Sequence, residues 1–121
     1  MDRQPARSFR ELVVWQKSHS LVLLVYKLTS GFPKHELFGL TSQMRRAAVS
    51  VPANIAEAFS KKSKPDKARV LNISQASLEE LRYYFILAGD LDYLTPAQRQ
   101  TELDDVARML GAYVRAIHSS S

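Results

Sequence analysis

The side chains best suited to chemistry form a polar stripe within residues 43–61. They recur at steps of three and four residues, which places them on one face of a helix. Their functional groups are amides, cations, a hydroxyl and a carboxylate, each able to pair with a neighbour or to bind a ligand. The stripe consists of Gln43, Arg46, Ser50, Asn54, Glu57 and Lys61.

Two interpretations of this stripe stay open. In the structural one, Arg45 or Arg46 pairs with a glutamate and Asn54 bridges two helices, because an unpaired buried charge costs several kcal/mol. The candidate glutamates are Glu57, Glu79 and Glu80. In the functional one, the stripe lies on the surface and binds a ligand or RNA. Stability measurements on alanine variants distinguish the two.

A basic cluster follows the stripe directly. Its five cations crowd a short segment in which Asp66 is the only acidic residue. Such a cluster attracts phosphates, although it is also typical of a solvated turn. No aromatic residue is interleaved with it, so the pattern does not predict base stacking. The candidate nucleic-acid-binding residues are Lys61, Lys62, Lys64, Lys67 and Arg69.

The sequence carries no pattern typical of catalysis or metal binding. His19, His35 and His118 are far apart, and none has a second ligand at metal-binding spacing. The metal sites of helical bundles use Glu-x-x-His pairs, and the chain contains none. The serines Ser50 and Ser77 lack a plausible general base. We therefore expect neither an enzyme nor a cofactor.

The composition is that of one ordinary globular domain. The chain has 121 residues, of which 45% are apolar and 24% are charged, and its net charge is +5. This positive charge favours a polyanionic partner without identifying one. The absence of cysteine fits a reducing compartment. Neither a signal peptide nor a membrane-spanning run is recognisable, so we expect a cytoplasmic protein.

Apolar periodicity predicts an all-α fold, an antiparallel up-down-up-down four-helix bundle. The helices should cover about residues 8–30, 41–62, 65–91 and 95–118, with the bundle spanning 8–118 between a flexible basic arm at 1–7 and a tail at 119–121. Ser8 with Glu11, and Thr95 with Gln98, have the spacing of a capping box, and Ser63 is a possible N-cap. Pro52 predicts a kink in the second helix, with Ser50 bonding the carbonyl that proline frees. Phe32, Leu37 and Phe38 predict a packed connection before that helix.

The first helix is apolar on more than one face. Two neighbouring helices usually cover less apolar surface than this helix presents. Either it packs against a second subunit, or it is deeply embedded in its own bundle. If a subunit interface exists, its candidate residues are Trp15, Val22, Leu24 and Tyr26.

Three stretches resemble a known family. They are FPKHELFGL at 32–40, QMRRAAVSVPANIAEA at 43–58 and SLEEL at 77–81. They are similar to small bacterial four-helix bundle proteins, among them the products of intervening sequences in large-subunit ribosomal RNA genes, often labelled S23 ribosomal proteins. The resemblance implies a ring, a homopentamer, and extends the polar network to Ser77, Glu79 and Glu80. This family usually has glycine at the position of Ala58.

From these observations we expect a non-enzymatic, oligomeric bundle protein whose partner, besides further copies of itself, is RNA or DNA. The alternative is a homo-oligomeric protein-interaction scaffold whose basic surface has no nucleic-acid role.

Overall fold

The computed structural model describes residues 5–120, which form helices and no strands. Four long helices and one short helix follow one another, so the all-α four-helix bundle is confirmed. Two 3-10 turns, Phe9–Glu11 and Lys34–Glu36, precede the first two helices. The α-helices are α1 Val13–Thr29, α2 Leu40–Ser60, α3 Lys64–Asp90, α4 Pro96–Arg99 and α5 Leu103–Ser119.

The core lies where the apolar periodicity places it. On α2, the whole predicted stripe is at most 1% exposed, and the main stripe of α3 is buried with it. Burying such side chains provides most of the driving force for folding. The buried stripe of α2 is Met44, Ala48, Val51, Ile55 and Ala58, and that of α3 is Leu71, Leu78, Leu81, Phe85 and Ala88.

Three contacts show that α2 and α3 run antiparallel. Tyr84 reaches Gln43, Ser77 reaches Ser50, and Lys67 reaches Ala58, so residue numbers fall along α3 as they rise along α2. The short turn at 61–63 permits this arrangement. The α2–α3 pair therefore has the direction that the sequence predicts.

The start of the first helix differs from the prediction. Ser8 does cap a helical turn, but this is the 3-10 turn Phe9–Glu11, and extended Leu12 (φ −74°, ψ 126°) separates it from α1. The Glu11 carboxylate accepts the N–H of Arg7 at 2.7 Å, so the capping box predicted between Ser8 and Glu11 does not close. Of the predicted flexible arm, residues 1–4 lie outside the described residues.

The single helix predicted over 95–118 is two helices. Thr95 and Gln98 form the predicted capping box, yet the helix that they start ends at Arg99. The Arg99 guanidinium donates to the carbonyl of Gly89 at 2.7 Å, which holds α4 against the end of α3. A Cβ at position 89 would lie within 3.0 Å of three atoms of that arginine. A larger residue at position 89 would have to displace the guanidinium, so glycine permits the contact in its present geometry.

A carboxylate outside α2 caps its first turn. One Glu36 oxygen accepts the N–H of Leu40 at 3.1 Å, and the other accepts the hydroxyl of Tyr93 at 2.8 Å. Both hydrogen bonds lower the pKa of Glu36, and the bond from the Leu40 N–H has the larger effect. Gly39 leaves room for the Glu36 side chain, since a Cβ at position 39 would lie 2.7 Å from an oxygen of this carboxylate. This carboxylate thus ties the start of α2 to the end of α3.

We expect Glu36→Gln to lower the melting temperature at neutral pH and to flatten the acid dependence of stability. Folding lowers the pKa of Glu36, so its negative charge stabilises the protein at pH values above the ordinary pKa of 4.5. This stabilisation is lost as the pH falls through the pKa that Glu36 has in the folded state. Thermal melts between pH 7 and about pH 3 measure the difference. Glu57→Gln, which removes an equal charge from an exposed side chain of α2, is the control. A constant difference between wild type and Glu36→Gln at all pH values would contradict the assignment.

Candidate functional site: the polar network and the basic turn

Three residues of the predicted polar network meet between α2 and α3. The Asn54 amide donates to the Ser50 carbonyl at 2.8 Å and to the Ser50 hydroxyl at 3.0 Å. From α3, the Ser77 hydroxyl donates to the same hydroxyl at 2.8 Å. Ser77 is buried, and the other two are half-buried. Ser50 and Ser77 therefore join two helices, whereas the hydrogen bonds of Asn54 within the described chain go to Ser50 on its own helix, so the predicted bridge through Asn54 does not form.

A fourth serine, Ser74, belongs to this interface and was missed by the sequence analysis. It is fully buried, and its hydroxyl donates to the carbonyl of Val51 at 2.8 Å. Its sequence signal was available, since Ser74 stands three residues after Leu71 and four before Leu78, in the apolar stripe of α3. A serine at such a position needs a hydrogen-bond partner.

Ser50 has partners other than the one predicted. We expected its hydroxyl to bond the carbonyl that Pro52 frees, but it instead accepts from Asn54 and Ser77. The helix α2 is assigned without interruption through Pro52. The predicted kink at Pro52 stays a prediction.

The predicted pairing of Arg45 or Arg46 with a glutamate does not form within residues 5–120. The Nε of Arg45 donates to the Thr29 hydroxyl at 2.9 Å, and its guanidinium lies 4.6 Å from the centre of the Tyr26 ring. Arg46 and Glu57 are exposed. The small serine and alanine side chains between α2 and α3 leave the charges at the edges, where water solvates them without the cost of burial.

The two glutamates of α3 have other partners. Glu79 pairs with Arg82 at 3.1 Å, and Arg82 also contacts Asp104 of α5. The Tyr84 hydroxyl lies 3.3 Å from a Glu80 oxygen and 3.4 Å from the Gln43 amide oxygen. Burial, followed by the nearby Glu80 charge, raises the pKa of Tyr84. Gln43 thus contacts α3, whereas Glu79 is linked to α5.

The structure divides the basic cluster by role. Lys67 donates its ammonium to the carbonyls of Ala58 and Phe59, at 3.2 and 3.1 Å, and lies 5.8 Å from the Phe59 ring centre. It therefore caps the C-terminus of α2, where a cation also interacts favourably with the helix dipole. A terminal guanidinium nitrogen of Arg69 lies 3.9 Å from a carboxylate oxygen of Asp66.

The remaining three cations form what we call the basic turn: Lys61, Lys62 and Lys64. Lys62 is exposed, and the other two are half-buried. In the part of the chain that the structure describes, no acidic side chain lies within 4.0 Å of their ammonium groups. Their positive charge is therefore available to an anionic partner.

We expect Lys67→Met to lower the free energy of unfolding by about 1–2 kcal/mol, because two carbonyls at the end of α2 lose a charged donor. Lys64→Met removes the same charge from the same segment without breaking a described side-chain bond, and should change stability by no more than about 0.5 kcal/mol. Urea unfolding of the two variants makes the comparison. Equal losses would show that Lys67 does not act as a cap.

The predicted subunit-interface residues do not share one surface. Val22 is only 7% exposed and belongs to the core of its own chain, so its side chain offers little surface to another subunit. Trp15 stacks on His19, with ring centres 5.1 Å apart, and both it and Leu24 are half-buried against the core. Of the four, Tyr26 alone is exposed.

A groove beside Tyr26 gathers exposed apolar side chains. It has a volume of about 480 Å³, and Phe38, at 93% exposure, stands at its side with Leu37 and Val49. Arg45 and Arg46 also line it. The prediction that Leu37 and Phe38 pack inside the connection is wrong, because both side chains are exposed. Phe32 is buried as predicted.

No group of three or more potential metal ligands lies together among residues 5–120. None of the helices in the same range is long and apolar enough to cross a membrane.

The comparison with known families decides the membership of this chain. Residues 10–112 match the model of the 23S rRNA-intervening sequence protein family. The chain belongs to this family. The resemblance drawn from the motifs at 32–40, 43–58 and 77–81 is thereby confirmed. In place of the usual glycine of the family, Ala58 is buried at the α2 C-terminus with 1% exposure, so the bundle accommodates its methyl group.

The chain is similar to a protein of unknown function from the S23 ribosomal protein family of Bacteroides thetaiotaomicron, with a TM-score of 0.65 and 24% identity. The similarity covers 88% of this chain and 96% of the other, and it shows the fold. No curated protein matches the chain.

Proposed function

We propose that this family member is a non-enzymatic, self-associating protein of the cytoplasm that binds RNA through Lys61, Lys62 and Lys64. The observation that carries the proposal is the basic turn, three cations whose ammonium groups have no acidic side chain within 4.0 Å in the described chain. The family is named after intervening sequences of 23S rRNA, and this genetic association, rather than a described contact, is the reason that we choose RNA as the polyanion. The net charge of +5 acts in the same direction.

The chemistry of the turn favours contacts with phosphates over contacts with bases. Its side chains are lysines and a serine, and the nearest aromatic ring along the chain, Phe59, is half-buried next to Lys67. Lysine binds phosphate as a point charge, whereas sequence readout needs side chains that reach base edges. We therefore expect weak sequence preference and strong dependence on salt.

Self-association would strengthen such binding. A ring of five copies, which the resemblance implies, would present the basic turn five times to one RNA molecule. Linked sites of this kind raise the overall affinity without any new contact within one subunit. The proposal thus joins two features, the basic turn and a surface through which copies assemble.

The second candidate function is a homo-oligomeric protein-interaction scaffold. The groove beside Tyr26 favours it, because a 93% exposed phenylalanine marks a surface suited to protein contacts. The scaffold needs no role for the basic turn. The two candidates therefore make opposite predictions for nucleic-acid binding.

A titration against RNA and DNA of equal length, at about 50 and 200 mM salt, tests the proposal. Each phosphate contact contributes about 0.9 to the logarithmic salt slope with duplexes and about 0.7 with single strands, so three lysines contribute roughly 2–3 per engaged subunit. Sedimentation on the same samples measures assembly. Absence of binding at low salt would leave the scaffold as the better function, and a monomer at micromolar concentration would refute self-association.

A further inference from the structure

The exposed apolar side chains of the bundle are concentrated on two faces. Of the ten large apolar side chains that are exposed within residues 5–120, seven lie on these faces. Four line the groove between the end of α1 and the start of α2, and three lie on the outer face of α3. The first set is Tyr26, Leu37, Phe38 and Val49, and the second is Ile73, Tyr83 and Ile86.

The first face, which we call the basic patch, combines the groove with Arg45 and Arg46. No acidic side chain lines it. Arg45 is held in place by the Thr29 hydroxyl and the Tyr26 ring, and only its Nε has a hydrogen-bond partner within the described chain. Its two terminal nitrogens can still donate to a carboxylate. This patch is both apolar and positively charged.

The second face, which we call the acidic stripe, consists of Ile73, Glu79, Glu80, Tyr83 and Ile86. Residues 79, 83 and 86 are spaced by four and three and form one line along α3, and residues 73 and 80 are spaced by seven and form a second line. Both lines lie on the side of α3 that faces away from the core. All five are exposed. The opposite side of α3 supplies the buried stripe of the core. Glu79 is paired with Arg82 of the same helix, so the negative charge that the stripe offers comes mainly from Glu80. The acidic stripe therefore has apolar content similar to that of the basic patch and charge of the opposite sign.

We propose that the basic patch of one copy docks on the acidic stripe of a second copy. Charge complementarity favours this pairing, which places arginines opposite glutamates and aromatic rings opposite isoleucines. A patch packed against another patch would instead bring Arg45 and Arg46 next to the same arginines, and like charges brought together cost free energy. The inference rests on the self-association in the proposed function and names the surfaces that carry it.

The two faces differ, so the contact is heterologous. A contact between two copies uses the patch of one and the stripe of the other, and leaves one patch and one stripe free, which propagates assembly until a ring closes. RNA is the less favoured occupant of the basic patch, because four of the side chains that line it are apolar and exposed. Aromatic residues together with arginine are typical of protein–protein interfaces.

Two variants and their mixture test the docking. Phe38→Glu places a carboxylate opposite the acidic stripe, and Tyr83→Lys places a cation opposite the basic patch, so each alone should sediment with the mass of a monomer. Mixed in equal amounts, they should form a 1:1 species of at least two subunits, because one intact patch then meets one intact stripe. Circular dichroism should show the wild-type helix content for both, since both positions are exposed.

Leu23→Glu is the matched control, because Leu23 is 58% exposed on α1 and lies outside both faces. It should keep the wild-type mass. Dissociation by Phe38→Glu alone would indicate a patch-to-patch contact, and dissociation by Leu23→Glu alone would indicate an interface on α1. Wild-type masses for Phe38→Glu and Tyr83→Lys, with weaker RNA binding by Phe38→Glu, would assign the patch to nucleic acid. Each of these three results overturns the docking, whereas a monomeric wild type refutes self-association itself.

Discussion

Replacing Leu21 with alanine should lower the free energy of unfolding by about 2–5 kcal/mol, whereas the same replacement at Leu23 should change it by no more than about 0.5 kcal/mol. The two leucines are two residues apart on α1, and they are 3% and 58% exposed. At Leu21 the truncation leaves a cavity in the core, and the neighbouring side chains refill it only in part. At Leu23 water replaces the lost atoms. Urea unfolding monitored by circular dichroism measures both values.

This pair also decides between the two interpretations of the first helix. A large loss at Leu23 would mean that its side chain is buried against a second subunit. That loss would grow with protein concentration, since assembly stabilises the folded state by mass action. Repeating the Leu23→Ala measurement over a range of concentrations therefore separates burial in an assembly from burial in the monomer. A loss that does not depend on concentration would contradict the exposed position of Leu23.

The sequence predicted well those features that depend on local periodicity. The buried stripe of α2 and the main buried stripe of α3 follow from apolar spacing alone, because a helix must cover its apolar face. Ser50 and Asn54 stand next to that face, and the contact of Ser50 with Ser77 follows from the pairing of two neighbouring helices. The N-caps at Ser63 and Thr95 are equally local, since each binds a backbone N–H three residues ahead.

Features that depend on contacts between distant segments were not predictable in this way. The break after Arg99 coincides with the bond from this arginine to Gly89, ten residues earlier on another helix. Lys67 reaches the end of α2 only because the chain reverses at residues 61–63. Nor does the sequence show that Arg45 contacts Thr29 and Tyr26, since this depends on how α1 and α2 are rotated about their axes.

The exposure of Phe38 is the most instructive error for function. An aromatic residue in a connection is usually buried, and Phe32 in the same connection follows this rule. Phe38 lies two positions before the first residue of α2, where the backbone turns it outward beside the groove. The two phenylalanines of this connection therefore differ in burial, and the exposed one, Phe38, is a candidate for contact with a partner.

Reversing Lys61, Lys62 and Lys64 to glutamate should abolish RNA binding at about 0.15 M salt. The basic turn supplies the phosphate contacts in the proposed function, and each lysine removed should lower the logarithmic salt slope by about 1. The fold should persist, because no described side-chain bond of the bundle uses these three ammonium groups. Binding titrations at two salt concentrations measure the loss, and circular dichroism and sedimentation confirm that helix content and mass are unchanged.

A second triple variant controls for net charge. Arg10, Lys27 and Arg115 are exposed and lie on other elements, so changing them to glutamate alters the net charge equally while sparing the basic turn. If the turn is the binding site, this control should retain most of its affinity at 0.15 M salt, since distant exposed charges are screened over roughly 8 Å. Equal losses in both variants would mean that RNA responds to the overall charge of the bundle. In that case Lys61, Lys62 and Lys64 form no site, and the scaffold function becomes the better account of the family member.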